Sequence, residues 1–279
     1  MSNATKPAAP AAKPAAPKKK SGGIPSGLII VLLAVVAHLL FYFVMGDESH
    51  FTKDEKGELV PIPGDYFGIV FKGGWVVPVL MTCFLCAVVF SIERLLTINK
   101  AKGTGDINAF VRKVQGCLNS NDIAGALKEC DKQKGSVGNV VNAALKKYNQ
   151  LTTETELNKE QKLAALSKEV EESTSLELPM LEKNLTIIAT LASVSTLLGL
   201  FGTVLGMIRA FAALGSAGAM DANALANGIS EALVNTALGI GTSAICIIGY
   251  NFFTSKIDEL TYSIDELGLS VSNSFASHN

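Results

Sequence analysis

The distribution of apolar and polar positions divides the chain into four long apolar stretches separated by polar blocks. The apolar stretches cover residues 21–46, 73–92, 184–208 and 222–255. Each reaches or exceeds the roughly 20 residues that an α-helix needs to cross about 30 Å of hydrocarbon. A carboxylate, Glu231, interrupts the last of them. The pattern therefore predicts an all-α polytopic membrane protein with four transmembrane helices.

The long polar block, residues 98–183, is rich in helix formers and shows no strand-like alternation. We expect an antiparallel helical bundle that extends the membrane helices into the cytoplasm. Near the end, "KIDELTYSIDEL" repeats Ile-Asp-Glu-Leu after seven residues and forms one apolar stripe of Ile257, Leu260, Ile264 and Leu267. This stripe requires another helix to pack against. The Ser-rich residues 270–279 are expected to fray.

These patterns divide the chain into nine segments. They are a disordered basic cytoplasmic tail (1–23), a transmembrane helix (24–45), a periplasmic loop (46–74), a transmembrane helix (75–97), a cytoplasmic helical domain (98–183), a transmembrane helix (184–211), a periplasmic loop (212–227), a transmembrane helix (228–255) and a cytoplasmic C-terminal helix and tail (256–279). The first segment is an Ala/Pro/Lys tract that cannot bury a core. It either touches anionic lipid or stays solvated without a specific partner.

Basic residues set the expected orientation, because Lys and Arg loops stay on the cytoplasmic side. The first twenty residues contain five lysines and no acid, so the N-terminus is expected in the cytoplasm. Four spans return the C-terminus to the same side. Of the 24 basic residues, those left outside are then Lys53, Lys56, Lys72 and Arg209. The second span ends in "SIERLL", where Glu93 and Arg94 are expected to meet the cytoplasmic headgroups.

A secretory signal peptide is the alternative interpretation of the first span. Its apolar core is longer than the roughly 7 to 15 residues of a typical signal-peptide core, which favours an uncleaved anchor. The later spans keep their orientation under either interpretation.

The sequence contains little that indicates an enzyme. Cys83 and Cys86 have redox spacing, but they lie inside an apolar span, where small hydrophobic residues are expected. An intramembrane protease with Ser230 or Ser243 as its nucleophile requires a base, and none of the three histidines has a spacing that pairs with either serine. We therefore expect no catalytic residue, no metal site and no cofactor.

The fourth span carries one polar face. At 100° per residue, Asn235, Thr236, Gly239, Thr242 and Ser243 all fall within about 140° to one side of Glu231. An ionised Glu at the bilayer centre costs roughly 2.5 to 3.5 kcal/mol, and such residues usually mark an ion or proton path. Arg209, at the outer end of the third span, is the candidate partner within the chain, although it could instead extend to the headgroups.

The third span has a similar stripe of small and hydroxylated residues, comprising Ser195, Thr196, Gly199, Gly202, Thr203 and Gly206. Gly202 and Gly206 form a small-xxx-small pair, which lets helix backbones approach closely. Gly199, Gly202, Gly206 and Gly239 are therefore predicted to be helix-packing residues. The alternative for the hydroxyls is a purely structural role, in which Ser and Thr bond to carbonyls one turn back.

Two segments in tandem resemble a known family. "LEKNLTIIATLASVSTLLGLFGTVLGMIRAF" (181–211) and "GISEALVNTALGIGTSAICIIGYNFF" (228–253) are similar to the ExbB/TolQ/MotA proton-channel family, and most of all to its ExbB branch. "WVVPVLMTCFLCAVVFSIERLL" also looks like the preceding helix of that family. The resemblance covers about residues 75–255, so the span at 24–45 is an extra N-terminal one beside a three-span core. The family often has Pro where this chain has Thr196.

The resemblance implies a homo-pentamer around a pore, in the bacterial inner membrane, with an ExbD-like single-span dimer inside it. It implies that proton flow drives work that a TonB-like protein transmits for outer-membrane nutrient import. By the family's pattern, Thr203, Glu231 and Thr236 are pore residues, and Asn235 and Thr242 share their face. A TolQ-like subunit of an envelope-integrity or surface-motility motor is the alternative. Membrane lipids are further expected partners, and no nucleic-acid partner is expected.

Overall fold

The computed structural model describes residues 25–53, 59–216 and 222–278. The helices in these ranges are α1 (Ser26–Leu39), α2 (Tyr66–Phe71), α3 (Val76–Lys102), α4 (Ile107–Asn119), α5 (Ile123–Gln133), α6 (Gly135–Thr153), α7 (Lys159–Glu182), α8 (Leu185–Ser216) and α9 (Ala222–His278). A π-helical turn (Leu40–Met45) prolongs α1, and a 3-10 turn (Glu48–His50) follows it. The expectation of a disordered tail at 1–23 lies outside the described residues.

Four helical stretches are long and apolar enough to cross a membrane. They are Ser26–Met45, Val76–Asn119, Lys159–Leu214 and Asn223–His278, and each overlaps one of the four apolar stretches of the sequence. The prediction of an all-α chain with four membrane-spanning helices is therefore confirmed.

The helices α8 and α9 pack closely along their membrane-spanning parts. A Cβ atom added at Gly199 would lie 3.0 Å from the Cα atom of Gly239, and one added at Gly206 would lie 2.8 Å from the carbonyl oxygen of Gly228. No side chain fits in such spaces, so the two backbones themselves are in contact. The helix α3 packs against both α8 and α9.

The extra N-terminal span packs against α3 along one face. Ala37 and Phe41 are buried there, whereas most of its other large apolar side chains are exposed. Beyond it, the strands β1 (Phe51–Lys53) and β2 (Leu59–Pro61) form a two-stranded antiparallel hairpin that pairs Phe51 with Pro61. Asp65 then caps α2 by accepting hydrogen bonds from the backbone of Phe67 and Gly68. This hairpin was not predicted from the sequence.

The helices α4, α6 and α7 pack against the C-terminal half of α9, and α5 packs against α4 and α6; all of them contribute to one core. At the junction with the membrane helices, α7 ends at Glu182 and the backbone turns at Asn184, which has a φ of 66°. Arg94 of α3 reaches this junction and is buried, not directed to the headgroups as expected. It donates to the carbonyl oxygens of Met180 and Leu181, because the last carbonyls of a helix have no partner within it.

The expectation that residues 270–279 fray is wrong for the part of them that the structure describes. The helix α9 continues to His278, and Phe275 packs edge-on against Tyr148 with 4.9 Å between ring centroids. The reason is that Val271 and Phe275 continue the apolar stripe of Ile264 and Leu267, and all four are almost fully buried.

Candidate functional site

Glu231 lies near the N-terminal end of α9 and has a charged partner within the same chain. The Nη1 atom of Arg209, on α8, donates to its Oε1 atom at 2.5 Å. The Glu231 side chain is only 8% exposed, whereas that of Arg209 is 50% exposed. The ion pair compensates for the buried carboxylate, while the half-exposed guanidinium keeps access to water or headgroups.

The turn between α2 and α3 lies against both members of this ion pair. A Cβ atom added at Gly74 would lie 2.6 Å from the Oε1 atom of Glu231 and 3.4 Å from the Nη1 atom of Arg209. Gly74 also has a φ of +76°, a conformation that side chains disfavour. Glycine is therefore required here twice, for the backbone conformation and for the space that the carboxylate occupies.

Asn235 lies one turn after Glu231 and is bound to the same turn. Its Nδ2 atom donates to the carbonyl oxygen of Gly73 at 2.9 Å, and its side chain lies against Gly202 of α8. The residue is fully buried, and its Oδ1 atom has no hydrogen-bond partner among the described residues. Glu231 and Asn235 together join α9 to the start of α3.

The two threonines that match the family's pore threonines contact each other. The hydroxyl of Thr203 on α8 is hydrogen-bonded to that of Thr236 on α9, and it also donates to the carbonyl oxygens of Gly199 and Ala232. Both residues are half-buried. Each hydroxyl can donate and accept, so the pair is suited to transferring a proton or orienting a water molecule.

The predicted site residues thus lie in the interior of one protomer, between α3, α8 and α9. Thr242 and the packing glycines Gly199, Gly202, Gly206 and Gly239 are also buried there. The exposed residues of these helices are instead largely apolar and include Leu197, Leu200, Val204, Leu233, Ile240 and Ile248. A central passage lined by the polar residues of several copies stays a prediction.

The contribution of the α2–α3 turn was not predicted from the sequence. A signal was present, since Gly73 and Gly74 stand side by side immediately before the second apolar span, and paired glycines mark turns. What the sequence did not indicate is that this turn faces Glu231, because the contact joins positions more than 150 residues apart.

Comparison with known proteins matches residues 132–266 to a single family model. Its description is the MotA/TolQ/ExbB proton channel family, and the matched residues include Thr203, Arg209, Glu231, Thr236 and Thr242. The matched segment, just under half of the chain, is similar to that family. Together with the four candidate spans, this similarity supports a multi-pass inner-membrane protein.

Curated relatives carry ExbB and TolQ names. A putative biopolymer transport protein ExbB-like 3 of Synechocystis is 42% identical over 31% of this chain and 42% of its own length. The biopolymer transport protein ExbB of Helicobacter pylori is 42% identical over 29% of this chain and 56% of its own length. TolQ of Haemophilus influenzae is 38% identical over 30% of this chain and 37% of its own length. The chain thus spans about half or less of the length of these relatives.

Proposed function

We propose that this protein is the proton-channel subunit of an inner-membrane motor and that its N- and C-termini lie in the cytoplasm. A homo-pentamer of the chain surrounds an ExbD-like dimer and converts the proton motive force into work that a TonB-like protein transmits for outer-membrane nutrient import. The pentamer and its partners follow from the family resemblance. The observation that carries the proposal is the buried carboxylate of Glu231, held on the polar face of a membrane helix by one releasable partner.

In this proposal, Glu231 is the group that takes up and releases protons. An intramembrane carboxylate is expensive, and Arg209 offsets its charge in the protomer at rest. When a proton replaces Arg209, the carboxyl group becomes neutral and the guanidinium can turn to the outer surface. Each proton that crosses the membrane supplies about 2.3 kcal/mol per 100 mV of potential.

The hydroxyl pair of Thr203 and Thr236 supports the next step. It lies one to two turns further along α9 from Glu231, and its hydrogen bond joins α8 to α9. A proton that leaves the carboxyl group can pass along these hydroxyls and bound water without placing a second charge in the membrane. Thr242 and Asn235 add polar groups to the same helix face.

A TolQ-like subunit of an envelope-integrity or surface-motility motor is the second candidate. Proteins named TolQ from Haemophilus influenzae and Pseudomonas aeruginosa match this chain at 38% and 29% identity. The two candidates share the proton chemistry and differ in the protein that receives the work. Co-purification with a TonB-like or a TolA-like protein distinguishes them.

Substitution of Glu231 and Thr236 tests the proposal. We expect Glu231→Gln and Thr236→Val to leave the complex assembled and to abolish proton-dependent uptake. Glu259→Gln is the matched control, because Glu259 is an exposed acid on the same helix that pairs with Lys256. Native mass spectrometry should show five copies of this chain when it is purified alone, and five copies of the chain plus two of the single-span partner when the two are purified together. Normal uptake in both site variants would reject the proton-channel role.

A further inference from the structure

The extra N-terminal span ends in a buried aromatic contact with α2 and the hairpin, which follow it in the chain. Phe41, in the π-helical turn after α1, is 3% exposed and stacks on Phe71 with 4.8 Å between ring centroids. Phe51 of the hairpin contacts the same ring edge-on at 5.6 Å. A Cβ atom added at Gly46 would lie 2.7 Å from the Phe71 ring. The position of Phe71 is therefore set by the extra span and the hairpin together.

Phe71 in turn sets the position of the turn that follows it. It is the last residue of α2, and its carbonyl oxygen accepts a hydrogen bond from the backbone N–H of Gly74 at 3.2 Å. The six residues of α2 are too few for a helix that is stable alone, so its location depends on what it packs against. The described neighbours of α2 include the end of the extra span, the two strands of the hairpin and α9.

The turn then reaches the proposed proton site. Gly74 lies against the Oε1 atom of Glu231, and the carbonyl oxygen of Gly73 accepts the hydrogen bond from Asn235. A continuous series of contacts therefore leads from Phe41 through Phe71 and Gly74 to the Glu231 carboxylate.

We infer that the extra N-terminal span positions Glu231: Phe41, by stacking on Phe71, holds the Gly73–Gly74 turn against the carboxylate and keeps that carboxylate on Arg209. This inference rests on the proposed function only for the use that the motor makes of Glu231. Without the stack, α2 loses one of its supports and the turn moves away from α9. The carboxylate then gains room to leave Arg209 and to become protonated.

Carbodiimide labelling tests the inference directly, because dicyclohexylcarbodiimide enters membranes and reacts with protonated carboxyl groups but not with a carboxylate in an ion pair. The full-length purified protein is labelled in detergent, and the adduct on Glu231 is quantified by mass spectrometry. We expect Phe41→Ala and Gly74→Ala to raise the labelling rate about tenfold, which corresponds to roughly 1.4 kcal/mol of lost ion-pair stabilisation. Arg209→Gln is the positive control and should raise the rate at least as much.

Two variants provide matched controls. Phe43 lies two residues from Phe41 and is 75% exposed, so Phe43→Ala removes a ring of the same size without touching Phe71. Gly64 has a φ of +89° with no atom within 4 Å of an added Cβ, so Gly64→Ala carries the backbone strain of Gly74→Ala without the collision. Both should label at the wild-type rate.

The contact path predicts a non-additive result as well. In the Arg209→Gln background, Phe41→Ala should add nothing to the labelling rate, whereas a general loosening of the protein would add to it. Phe41→Leu keeps apolar bulk without the ring and replaces Phe41→Ala if thermal unfolding shows that the latter does not fold. Wild-type labelling rates in Phe41→Leu and Gly74→Ala would overturn the inference.

The labelling assay does not depend on transport. If Glu231→Gln leaves uptake normal while Phe41→Ala raises labelling, the proton-channel role is lost and the positioning by the extra span stands. If labelling is unchanged while Glu231→Gln abolishes uptake, the reverse holds.

Discussion

The two ends of the membrane region each contain an Arg–Glu pair, and the two pairs are built in opposite ways. At the end where α3 meets α7, which holds the inner pair, the Arg94 side chain is 1% exposed and that of Glu93 is 37% exposed. At the opposite end, which holds the outer pair, the acid Glu231 is the buried member, at 8%, and Arg209 is 50% exposed. One pair therefore encloses its cation, and the other encloses its anion.

The difference separates a structural contact from a releasable one. Arg94 is held on several sides, because it binds both oxygens of Glu93 and the carbonyl oxygens of Met180 and Leu181. Arg209 binds Glu231 through one oxygen and faces the surroundings with its other side. Loss of the Arg94 side chain leaves the carbonyl oxygens of Met180 and Leu181 without this donor. Arg209, by contrast, can regain hydration when it leaves Glu231.

The largest expected effect is the loss of the inner arginine. We expect Arg94→Ala to lower the free energy of unfolding by about 3 kcal/mol or more, because it breaks a pair whose cation is fully buried. Arg209→Ala should cost less, about 1.5 to 2 kcal/mol, because the guanidinium that it removes is half-exposed, while the Glu231 carboxylate that it leaves unpaired is buried. Denaturant unfolding in detergent measures both values. Equal costs for the two variants would contradict the contrast between the pairs.

The next effect concerns Asn184, which supports the inner pair from the side. Its Nδ2 atom donates to Glu93 at 3.1 Å, and its Oδ1 atom accepts from Ser26 at the start of the extra span at 2.8 Å. We expect Asn184→Ala to cost about 1 to 2 kcal/mol, because it adds a left-handed backbone penalty to the lost bonds. Asn184→Gly loses the bonds alone and should cost less. Thermal unfolding of the two variants decides whether the backbone contributes.

A substitution at the outer pair sharpens the comparison through function. Arg209→Lys keeps the positive charge but loses the planar guanidinium that approaches the Oε1 atom of Glu231 at 2.5 Å. We expect its unfolding free energy to stay within about 0.5 kcal/mol of the wild-type value, as for surface changes, while proton-dependent uptake falls. The inner counterpart, Arg94→Lys, should show a loss of stability that exceeds its effect on uptake per assembled complex. Unchanged uptake in Arg209→Lys would show that Glu231 works without this partner.

Much of this arrangement was predictable from the sequence, and the failures have physical causes. The four spans follow from the length of the apolar runs, and Arg209 was identified as the candidate partner of Glu231. Arg94 was assigned to the headgroups, because sequence position shows that a span ends there but not that α7 ends against the same side chain. The hairpin was missed because each strand has three residues, too few for alternation to appear.

The site was predictable to a smaller extent. Helical periodicity placed Glu231, Asn235 and Thr242 on one helix face, but periodicity does not identify the neighbour of that face. The structure places the start of α3 against Glu231 and Asn235, and the glycine at position 74 is what makes the approach possible. Contacts of this kind depend on the relative positions of three helices, which no local pattern specifies.

The smallest expected effect is the response of α2 and its Asp65 cap to acid. A hydrogen bond from His50, at 2.7 Å, is the main cause that lowers the pKa of Asp65 below its usual 3.8, and the caps to Phe67 and Gly68 add to it. A lowered pKa in the folded protein means that this group contributes stability above about pH 3.8 and loses it as the pH falls further.

The only tryptophan, Trp75, follows Gly74, so its fluorescence reports on the Gly73–Gly74 turn. We expect its fluorescence to stay constant from pH 7 to about pH 4 and to change below that in the wild type, but not in Asp65→Asn. An identical acid transition in both proteins would show that α2 and the Gly73–Gly74 turn do not depend on the Asp65 cap, and that the packing of α2 holds them in place.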